Sequence, residues 1–271
     1  MVYLRLDCLK TIMLNWFRSQ VKEHGLAPAT QLLFRVVRYR IPVVLSNRLL
    51  SDKLECPCCG WRGHRFLDYI ELGYRVPNAA CPRCDSHSRH RALYLWLKNE
   101  FQIEKKSGRV LIFAPEQALA PLWQSARNLR VIRIDIETTR GVDLLADLMQ
   151  LPFVDKSAEL IWCHHVLEQV EDDHAALREL YRLLTPTVGE LLVSVGYTGQ
   201  EITQEFGYAN KMLSGNRRLY GSDFDKRLEA AGFRVKPVTY DLSAEECERY
   251  GVYPETFYHC TRSNSVPEGS V

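Results

Sequence analysis

The 271-residue sequence lacks a long uninterrupted hydrophobic segment, although 46% of its residues are hydrophobic. Polar side chains interrupt both its N-terminus and its most apolar stretch, residues 32–50; they are Arg5, Asp7, Lys10 and Asn15, then Arg35, Arg38, Arg40 and Arg48. A secretory signal and a membrane-spanning helix both require such a segment. The sequence therefore predicts a cytoplasmic protein without a transmembrane segment, and leaves open that residues 32–50 lie on a membrane surface as an amphipathic helix.

The sequence also lacks the even set of cysteines that a disulfide framework requires. Its nine cysteines form two close pairs and several single residues. This distribution is typical of metal ligands and free thiols in a reducing compartment. Internal repeats and low-complexity tracts are absent, so we expect one main domain with a smaller appendage.

Charge is distributed unevenly, although the formal net charge is only +2. Residues 1–106 contain 18 Lys and Arg against 9 Asp and Glu, whereas the remaining residues contain 17 against 24. A basic N-terminal third can contact nucleic acid, anionic lipid or an acidic protein, but solvated helices have the same composition. Nucleic acid is therefore one candidate partner.

Two cysteine pairs predict a zinc ribbon. The sequences CPCCG at 56–60 and CPRC at 81–84 each contain a C-x-x-C pair. Four thiolates on two tight turns complete the tetrahedral ligand set of a structural zinc site. The predicted zinc ligands are Cys56, Cys59, Cys81 and Cys84. Alternative ligands are Cys58 within the first pair and, less favoured, His64, His87 and His90.

Alternating strand and helix patterns predict an α/β domain after the ribbon. Apolar strand patterns occur at 110–113, 131–134, 143–146, 160–163 and 190–195, with amphipathic helix patterns at 118–126 and 173–184. This alternation is typical of a parallel sheet covered by helices. A polar, irregular insertion at 202–219, a helix at 222–231, a strand from Arg234 and an antiparallel edge strand at 256–261 complete the prediction.

These patterns divide the chain into four predicted parts. A basic helical extension covers 1–53, with a break at 25–28, where Gly and Pro occur. The zinc ribbon and a connecting helix cover 54–104, and the α/β domain covers 105–262. A disordered tail is expected over 263–271.

Several short motifs together resemble a known enzyme family. They are the two cysteine pairs, SHSRHR at 86–91, LIFAPE at 111–116, ADL at 146–148, LPF at 151–153, HVLE at 165–168, YG at 220–221 and AGF at 231–233. This combination resembles the class I S-adenosylmethionine-dependent methyltransferases of the bacterial zinc-ribbon-bearing type. The resemblance implies a Rossmann-like methyltransferase sheet, mostly parallel with an antiparallel edge strand. It also implies methyl transfer from S-adenosylmethionine to an unidentified acceptor.

The resemblance further implies where the cofactor binds. An Ala-Pro-Glu loop stands where such enzymes usually carry a glycine-rich loop after the first strand. Asp135 occupies the position that binds the ribose hydroxyls, and Asp147 the position that accepts a hydrogen bond from the adenine amino group. The implied cofactor-binding residues are Ala114, Pro115, Glu116, Asp135, Asp147, Leu148 and His164.

His165 is the predicted catalytic residue, because a histidine beside the acceptor can take a proton from an oxygen or nitrogen nucleophile. A structural, hydrogen-bonded histidine is the alternative. Residues 196–219, with Arg217 and Arg218, are expected either to cover the acceptor site or to form an ordinary surface excursion. The competing functional hypothesis is a catalytically silent methyltransferase fold that binds nucleic acid or protein through its ribbon.

Overall fold

The computed structural model describes residues 6–70, 74–138, 141–196, 199–210, 213–253 and 255–263, with side chains from residue 14 onward. Apart from Ser263, the predicted disordered tail lies outside these residues. The chain forms two compact units: residues 1–91 with 242–253, and residues 92–241 with 254–271. Among the helices in the described ranges, none combines the length and the apolar character needed to cross a bilayer.

Two long helices form the predicted N-terminal extension. Helix α1 spans Leu6–His24 and α2 spans Leu26–Leu49. The break between them is only Gly25, whose φ of 86° is left-handed and favours glycine. Pro28 does not interrupt α2 because it lies in the first turn, where backbone amides have no helical acceptor.

Two short hairpins follow the helices and carry the cysteine pairs. Strand β1 (Leu54–Glu55) pairs with β2 (Arg62–Gly63), and β3 (Leu67–Ile70) pairs with β4 (Arg75–Ala80), both antiparallel. Helix α3 (Ser88–Asn99) comes next in the chain, as predicted.

A mixed sheet of seven strands forms the second unit and fits the predicted Rossmann-like methyltransferase fold. Five strands are parallel, in the order β9-β8-β5-β6-β7. They are β5 (Gly108–Phe113), β6 (Leu129–Asp135), β7 (Leu144–Leu145), β8 (Leu160–His164) and β9 (Glu190–Ser194). The helices α4 (Ala120–Ser125), α5 (Asp173–Leu183) and α6 (Phe224–Ala230) belong to the same unit.

Alternate residues of β8 pack on opposite faces of the sheet, so the sheet carries an apolar core on each face. Ile161 and Cys163 pack in a cluster that includes Leu177 of α5. Leu160 and Trp162 belong to a second cluster. All five residues of β8 are buried, as expected for a central strand covered on both faces.

The antiparallel strand is internal, which corrects the predicted edge position. Strand β13 (Thr256–Arg262) pairs antiparallel with both β9 and β12 (Phe233–Thr239), so that β12 is the edge strand. Phe257 and Cys260 of β13 are buried, whereas β12 exposes most of its side chains. A strand with buried side chains is favoured between two neighbours, and a polar strand is tolerated at the edge.

Two further elements differ from the sequence prediction. The insertion at 202–219 is a hairpin of β10 (Gln204–Asn210) and β11 (Asn216–Leu219), with a register shift between Glu205 and Asn210. Strand β10 is largely exposed and β11 has the polar sequence NRRL, so neither shows the apolar alternation by which strands are recognised. Helix α7 (Ala244–Tyr250), which begins with a capping box of Ser243 and Glu246, was not predicted.

Candidate functional site

A cavity of about 240 Å³ lies where four parallel strands of the sheet reach their carboxyl ends. It is lined by residues at or just after the ends of β5, β6, β7 and β8. Such edges of open α/β sheets are where ligands bind. The lining residues are Phe113, Ala114, Ile134, Asp135, Ile136, Ala146, Asp147, Leu148, Met149, His165, Val166, Gln169, Val170, Glu171 and Arg217.

Two carboxylates of the cavity are held by their own turns. Asp135 is the last residue of β6, and its Oδ1 accepts a hydrogen bond from the Glu137 amide at 3.2 Å. Asp147 follows β7, and its Oδ1 accepts from the Met149 amide at 2.8 Å. Buried Leu148 also lines the cavity. The structure thus brings together three of the residues predicted to bind the cofactor.

Ala114 follows β5 and adopts the backbone conformation expected of a glycine. Its φ is 47°, in the left-handed region that residues with a Cβ rarely occupy. Its amide donates to the Ile134 carbonyl at 2.9 Å, which ties the turn to the neighbouring strand β6. The loop therefore turns as a glycine loop would, although it contains no glycine.

His165 follows β8 and forms a pair with Glu168. The His165 Nδ1 lies 2.9 Å from the Glu168 Oε1, and the same oxygen accepts from the Gly196 amide at 2.6 Å. Burial favours a raised pKa for Glu168, but the hydrogen bonds with His165 and Gly196 outweigh it and hold the pKa below its usual range. Because an ionised carboxylate only accepts, Nδ1 of His165 carries the proton and Nε2 is left as an acceptor.

Three residues predicted to contact the cofactor do not line the cavity. His164 is buried, its Nδ1 lies 2.6 Å from the Glu116 Oε2, and its ring packs on Trp162. Pro115 and Glu116 line a separate depression. The rings of His164 and His165 are in contact, with centroids 4.6 Å apart. The left-handed backbone at His165 turns the chain after β8, so His165 lines the cavity while His164 packs on Trp162. The cavity gives no geometric support to the predicted cofactor contacts of these three residues.

The hairpin β10–β11 contributes Arg217 to the lining. It is attached to the loop after β8 by two hydrogen bonds, from the Arg217 amide to the Glu168 carbonyl at 2.7 Å and from Gln169 Nε2 to the Ser214 carbonyl at 3.1 Å. The hairpin therefore forms part of the cavity wall. Sequence patterns had assigned no role to Ile136, Met149 or Glu171, which carry no motif of their own.

Arg218, beside Arg217, has a structural role. Its buried guanidinium donates to the carbonyls of Leu167, Val170 and Glu171 at 2.7–3.0 Å. It also pairs with Glu205 at 3.0 Å. Arg218 therefore connects the hairpin to the segment between β8 and α5.

The four predicted zinc ligands converge within the first unit. Their sulfur atoms all lie within 4.8 Å of one another, and the Cys56–Cys84 and Cys59–Cys81 Sγ pairs are each 3.6 Å apart. Tetrahedral zinc with Zn–S bonds of about 2.3 Å places its sulfurs about 3.8 Å apart. The donor set therefore fits one tetrahedral metal ion.

Cys58 lies outside this set, as do the three histidines considered as ligands. Its Sγ contacts the His90 carbonyl at 3.8 Å. Hydrogen bonding to Cys56 and burial raise the pKa of the Cys58 thiol. The geometry thus separates Cys58, which the spacing alone left open, from the four converging cysteines.

The buried side chain of Arg91 stabilises the same unit. Its guanidinium donates to the carbonyls of Ala79, Tyr250 and Gly251 and packs on the Phe66 ring at 4.0 Å. Burial lowers the pKa of Arg91, and the nearby cysteine sulfurs oppose that shift. A buried cation beside four thiolates offsets part of their negative charge.

Comparison with known proteins adds one family match. Residues 116–191 match the family described as a methyltransferase domain, and this stretch contains Asp135, Asp147 and His165. The match supports a methyltransferase domain in this part of the chain. A search of curated proteins found no match.

Several solved structures are similar in fold at low sequence identity. The [4+2]-cyclase SpnF is 19% identical, with a TM-score of 0.44 over 56% of this chain and 59% of SpnF. The YcgJ protein from Bacillus subtilis is 16% identical, with a TM-score of 0.43 over 65% of this chain and 100% of YcgJ. An S-adenosylmethionine-dependent methyltransferase from Mesorhizobium loti is 15% identical, with a TM-score of 0.44 over 62% of this chain and 97% of that protein. These values assign neither an activity nor a substrate to this chain.

Proposed function

We propose that this protein is an S-adenosylmethionine-dependent methyltransferase of class I, acting on an unidentified acceptor. The observation that carries the proposal is the cavity at the carboxyl ends of β5, β6, β7 and β8, with Asp135 and Asp147 in its lining. The methyltransferase family match over residues 116–191 supports it independently of the cavity.

The cavity residues fit the chemistry of this cofactor. When bound, S-adenosylmethionine supplies an electrophilic methyl group on a sulfonium centre. Asp135 would accept from the ribose hydroxyls and Asp147 from the adenine amino group, because carboxylates are pure acceptors. Leu148 supplies apolar surface for the adenine ring, and the turn at Ala114 lies beside Asp135 in the lining.

His165 is the candidate general base in this proposal. The buried carboxylate of Glu168 holds Nδ1–H and leaves Nε2 as the proton acceptor, while the ring lines the cavity. Methyl transfer depends mainly on alignment of nucleophile and methyl group, so the fixed His165–Glu168 pair can both orient the acceptor and take its proton.

Titration calorimetry with S-adenosylmethionine and with its demethylated product tests the cofactor assignment. We expect wild-type protein to bind both, and Asp135→Ala and Asp147→Ala each to weaken binding by at least about tenfold, the usual effect of losing a hydrogen bond to a charged group. Glu137→Ala is the matched control, because Glu137 is exposed, lies two residues after Asp135 and does not line the cavity. Its affinity should match that of wild type.

Two outcomes would contradict the assignment. One is no detectable binding by folded wild-type protein, which would favour the catalytically silent alternative. The other is equal weakening by Asp135→Ala and Glu137→Ala, which would place the cofactor elsewhere. The family match itself supports a methyltransferase and gives no support to a nucleic-acid- or protein-binding module.

We further propose that Cys56, Cys59, Cys81 and Cys84 bind structural zinc as a zinc ribbon of the type suggested by the sequence. The convergence of their sulfurs within 4.8 Å supports this. Metal analysis should find one zinc per chain in wild type and in Cys58→Ser, and loss of zinc in Cys59→Ser. Equal zinc loss in the two variants would make Cys58 a ligand, and zinc-free wild-type protein would remove the site.

A further inference from the structure

Helix α2 exposes an apolar stripe that no described element covers. Phe34 is 69% exposed and Ile41 54%, values expected of surface lysines. The stripe repeats every three or four residues, so its members share one face of the helix. It consists of Phe34, Val37, Ile41, Val44 and Leu45.

The stripe is separate from the face by which α2 packs on its own unit. Leu32, Val36 and Val43 are buried on that inner face, where Leu32 and Val36 pack with Ile70 of β3. Since the inner face already supplies buried packing for the helix, the exposed apolar surface of the stripe is not needed for that packing. Exposed apolar patches of this kind mark interaction sites.

Positive charge surrounds the stripe. Arg38 lies one turn from both Phe34 and Ile41 on one flank, and Arg40 lies one turn from Val37 and Val44 on the other. Residues 24–51 contain no Asp or Glu, so α2 carries no acidic side chain. Asp85 of the same unit interacts electrostatically with Arg40. An apolar stripe flanked by arginines, on a helix without acids of its own, is complementary to a surface that is apolar below and anionic above.

We propose that α2 docks this protein on membrane surfaces that contain anionic phospholipid, with the stripe in the acyl region and the arginines at the headgroups. Long arginine side chains can extend to the phosphates while their aliphatic parts follow the apolar surface. No described helix is able to span a bilayer, so the contact is interfacial. This role is independent of the proposed methyl transfer.

The same features argue against a second copy of the chain as the occupant. The stripe covers about two heptads, whereas stable coiled coils require three or four. Pairing α2 with itself would also bring together two helices that carry arginines and no acids, which repel each other. An anionic bilayer satisfies both the apolar stripe and the charge.

Vesicle flotation with the full-length chain tests the proposal. The probes are phosphatidylcholine vesicles and vesicles of phosphatidylcholine with phosphatidylglycerol in equal parts. Wild type should float with the anionic vesicles, bind much less to phosphatidylcholine alone, and dissociate as salt is raised. The double substitution Phe34→Ser/Ile41→Ser should weaken partitioning onto anionic vesicles by at least about tenfold, because both apolar contacts with the bilayer are lost.

Two further variants test whether binding requires the arginines and whether exposed apolar side chains outside α2 also support it. Arg38→Gln/Arg48→Gln should weaken anionic-vesicle binding by about 30-fold, since each basic residue near such a surface contributes roughly fivefold. Val154→Ser/Val188→Ser removes equally exposed apolar side chains outside α2 and should bind as wild type. Circular dichroism and S-adenosylmethionine titration verify folding without involving the stripe.

Three results would overturn the proposal. The first is wild-type protein that stays in the soluble fraction in the presence of anionic vesicles. The second is Phe34→Ser/Ile41→Ser protein that floats as well as wild type. The third is a dimer in sedimentation that Phe34→Ser/Ile41→Ser converts to a monomer while vesicles bind nothing, which would assign the stripe to a second copy. Failure of the cofactor titration would leave the flotation result unaffected.

Discussion

Two residues with left-handed backbone meet at the cavity, and neither is glycine. Ala114 has a φ of 47° and His165 a φ of 52°. Such conformations cost residues with a Cβ of the order of 1–2 kcal/mol and persist where the surroundings impose them. Both lie just beyond the carboxyl ends of neighbouring parallel strands, β5 and β8, so the strain is concentrated at the proposed cofactor site.

Replacing Ala114 by glycine should relieve part of this strain. We expect Ala114→Gly to raise the free energy of unfolding by about 0.5 kcal/mol, since the gain exceeds the additional entropy of an unfolded glycine. Ala175→Gly within α5 is the control and should lower it by about 1 kcal/mol. Urea denaturation measures both. A destabilised Ala114→Gly protein would show that the turn is not strained in solution.

Glu168 should make the free energy of unfolding depend on pH in the acid range. Its pKa is held below the usual range, so its carboxylate stabilises the fold above the unfolded value of about 4.3, and this contribution is lost as pH falls through the folded pKa. Glu168→Gln should lower the unfolding free energy by about 2 kcal/mol near neutral pH. The difference from wild type should shrink below pH ~4.

Urea denaturation of wild type, Glu168→Gln and the exposed control Glu201→Gln at several pH values provides the measurement. Glu201→Gln should follow wild type throughout. A constant gap between Glu168→Gln and wild type across the acid range would show that the Glu168 carboxyl is not ionised in the native protein.

At the level of elements, one buried arginine adds several of the contacts that attach the hairpin β10–β11. Arg218 is 3% exposed and pairs with Glu205 and, at 3.7 Å, with Asp173 near the start of α5. Asp173 also accepts from Tyr220 at 2.7 Å and from Arg227 at 2.8 Å. Burial favours a raised pKa for Asp173, but Tyr220 and the two arginines outweigh it and lower the pKa.

Removing this arginine should release the hairpin. Arg218→Leu removes a hydrogen-bond donor from three buried carbonyls and leaves Asp173 with one cation fewer, so we expect a loss of about 3 kcal/mol in unfolding free energy. Limited proteolysis should cut within 204–219 faster than in wild type. Arg234→Gln, on the exposed edge strand β12, should change neither measurement. Unchanged cleavage in Arg218→Leu would mean that other contacts hold the hairpin.

At the scale of the whole molecule, the two units are stabilised by different means. The seven-stranded sheet has an apolar core on each face. The hairpins of the first unit have strands of two to six residues and converge on four cysteines. Zinc bound at the proposed site would stabilise these short hairpins, because ligand binding supplies what apolar burial does not.

Removal of zinc should therefore destabilise residues 54–85 before the rest of the chain. After treatment with a strong chelator, limited proteolysis should produce new cleavage in this range, and returning zinc should suppress it. Cys58→Ser should behave as wild type, whereas Cys59→Ser should be cleaved there without chelator. An unchanged cleavage pattern after verified metal loss would show that the hairpins are stable without zinc.

The sequence alone determined the features that depend on local pattern. The parallel strands were predicted because buried strands are continuous apolar runs, as in β8, and α5 because its apolar residues recur at helical spacing. The four converging cysteines were predicted to within Cys58, because C-x-x-C turns restrict which sulfurs can converge. Asp135 and Asp147 were placed at strand ends by the same patterns, and the cavity brings both together.

Tertiary structure alone decided features that depend on long-range pairing. The position of β13 between β9 and β12, the association of α7 with the unit of residues 1–91, and the hairpin at 204–219 all depend on contacts between distant residues. It also decided that His165 lines the cavity and His164 does not, because the left-handed backbone at His165 turns the chain after β8. Local patterns report burial and turns, whereas neighbours in space are chosen only when the whole chain packs.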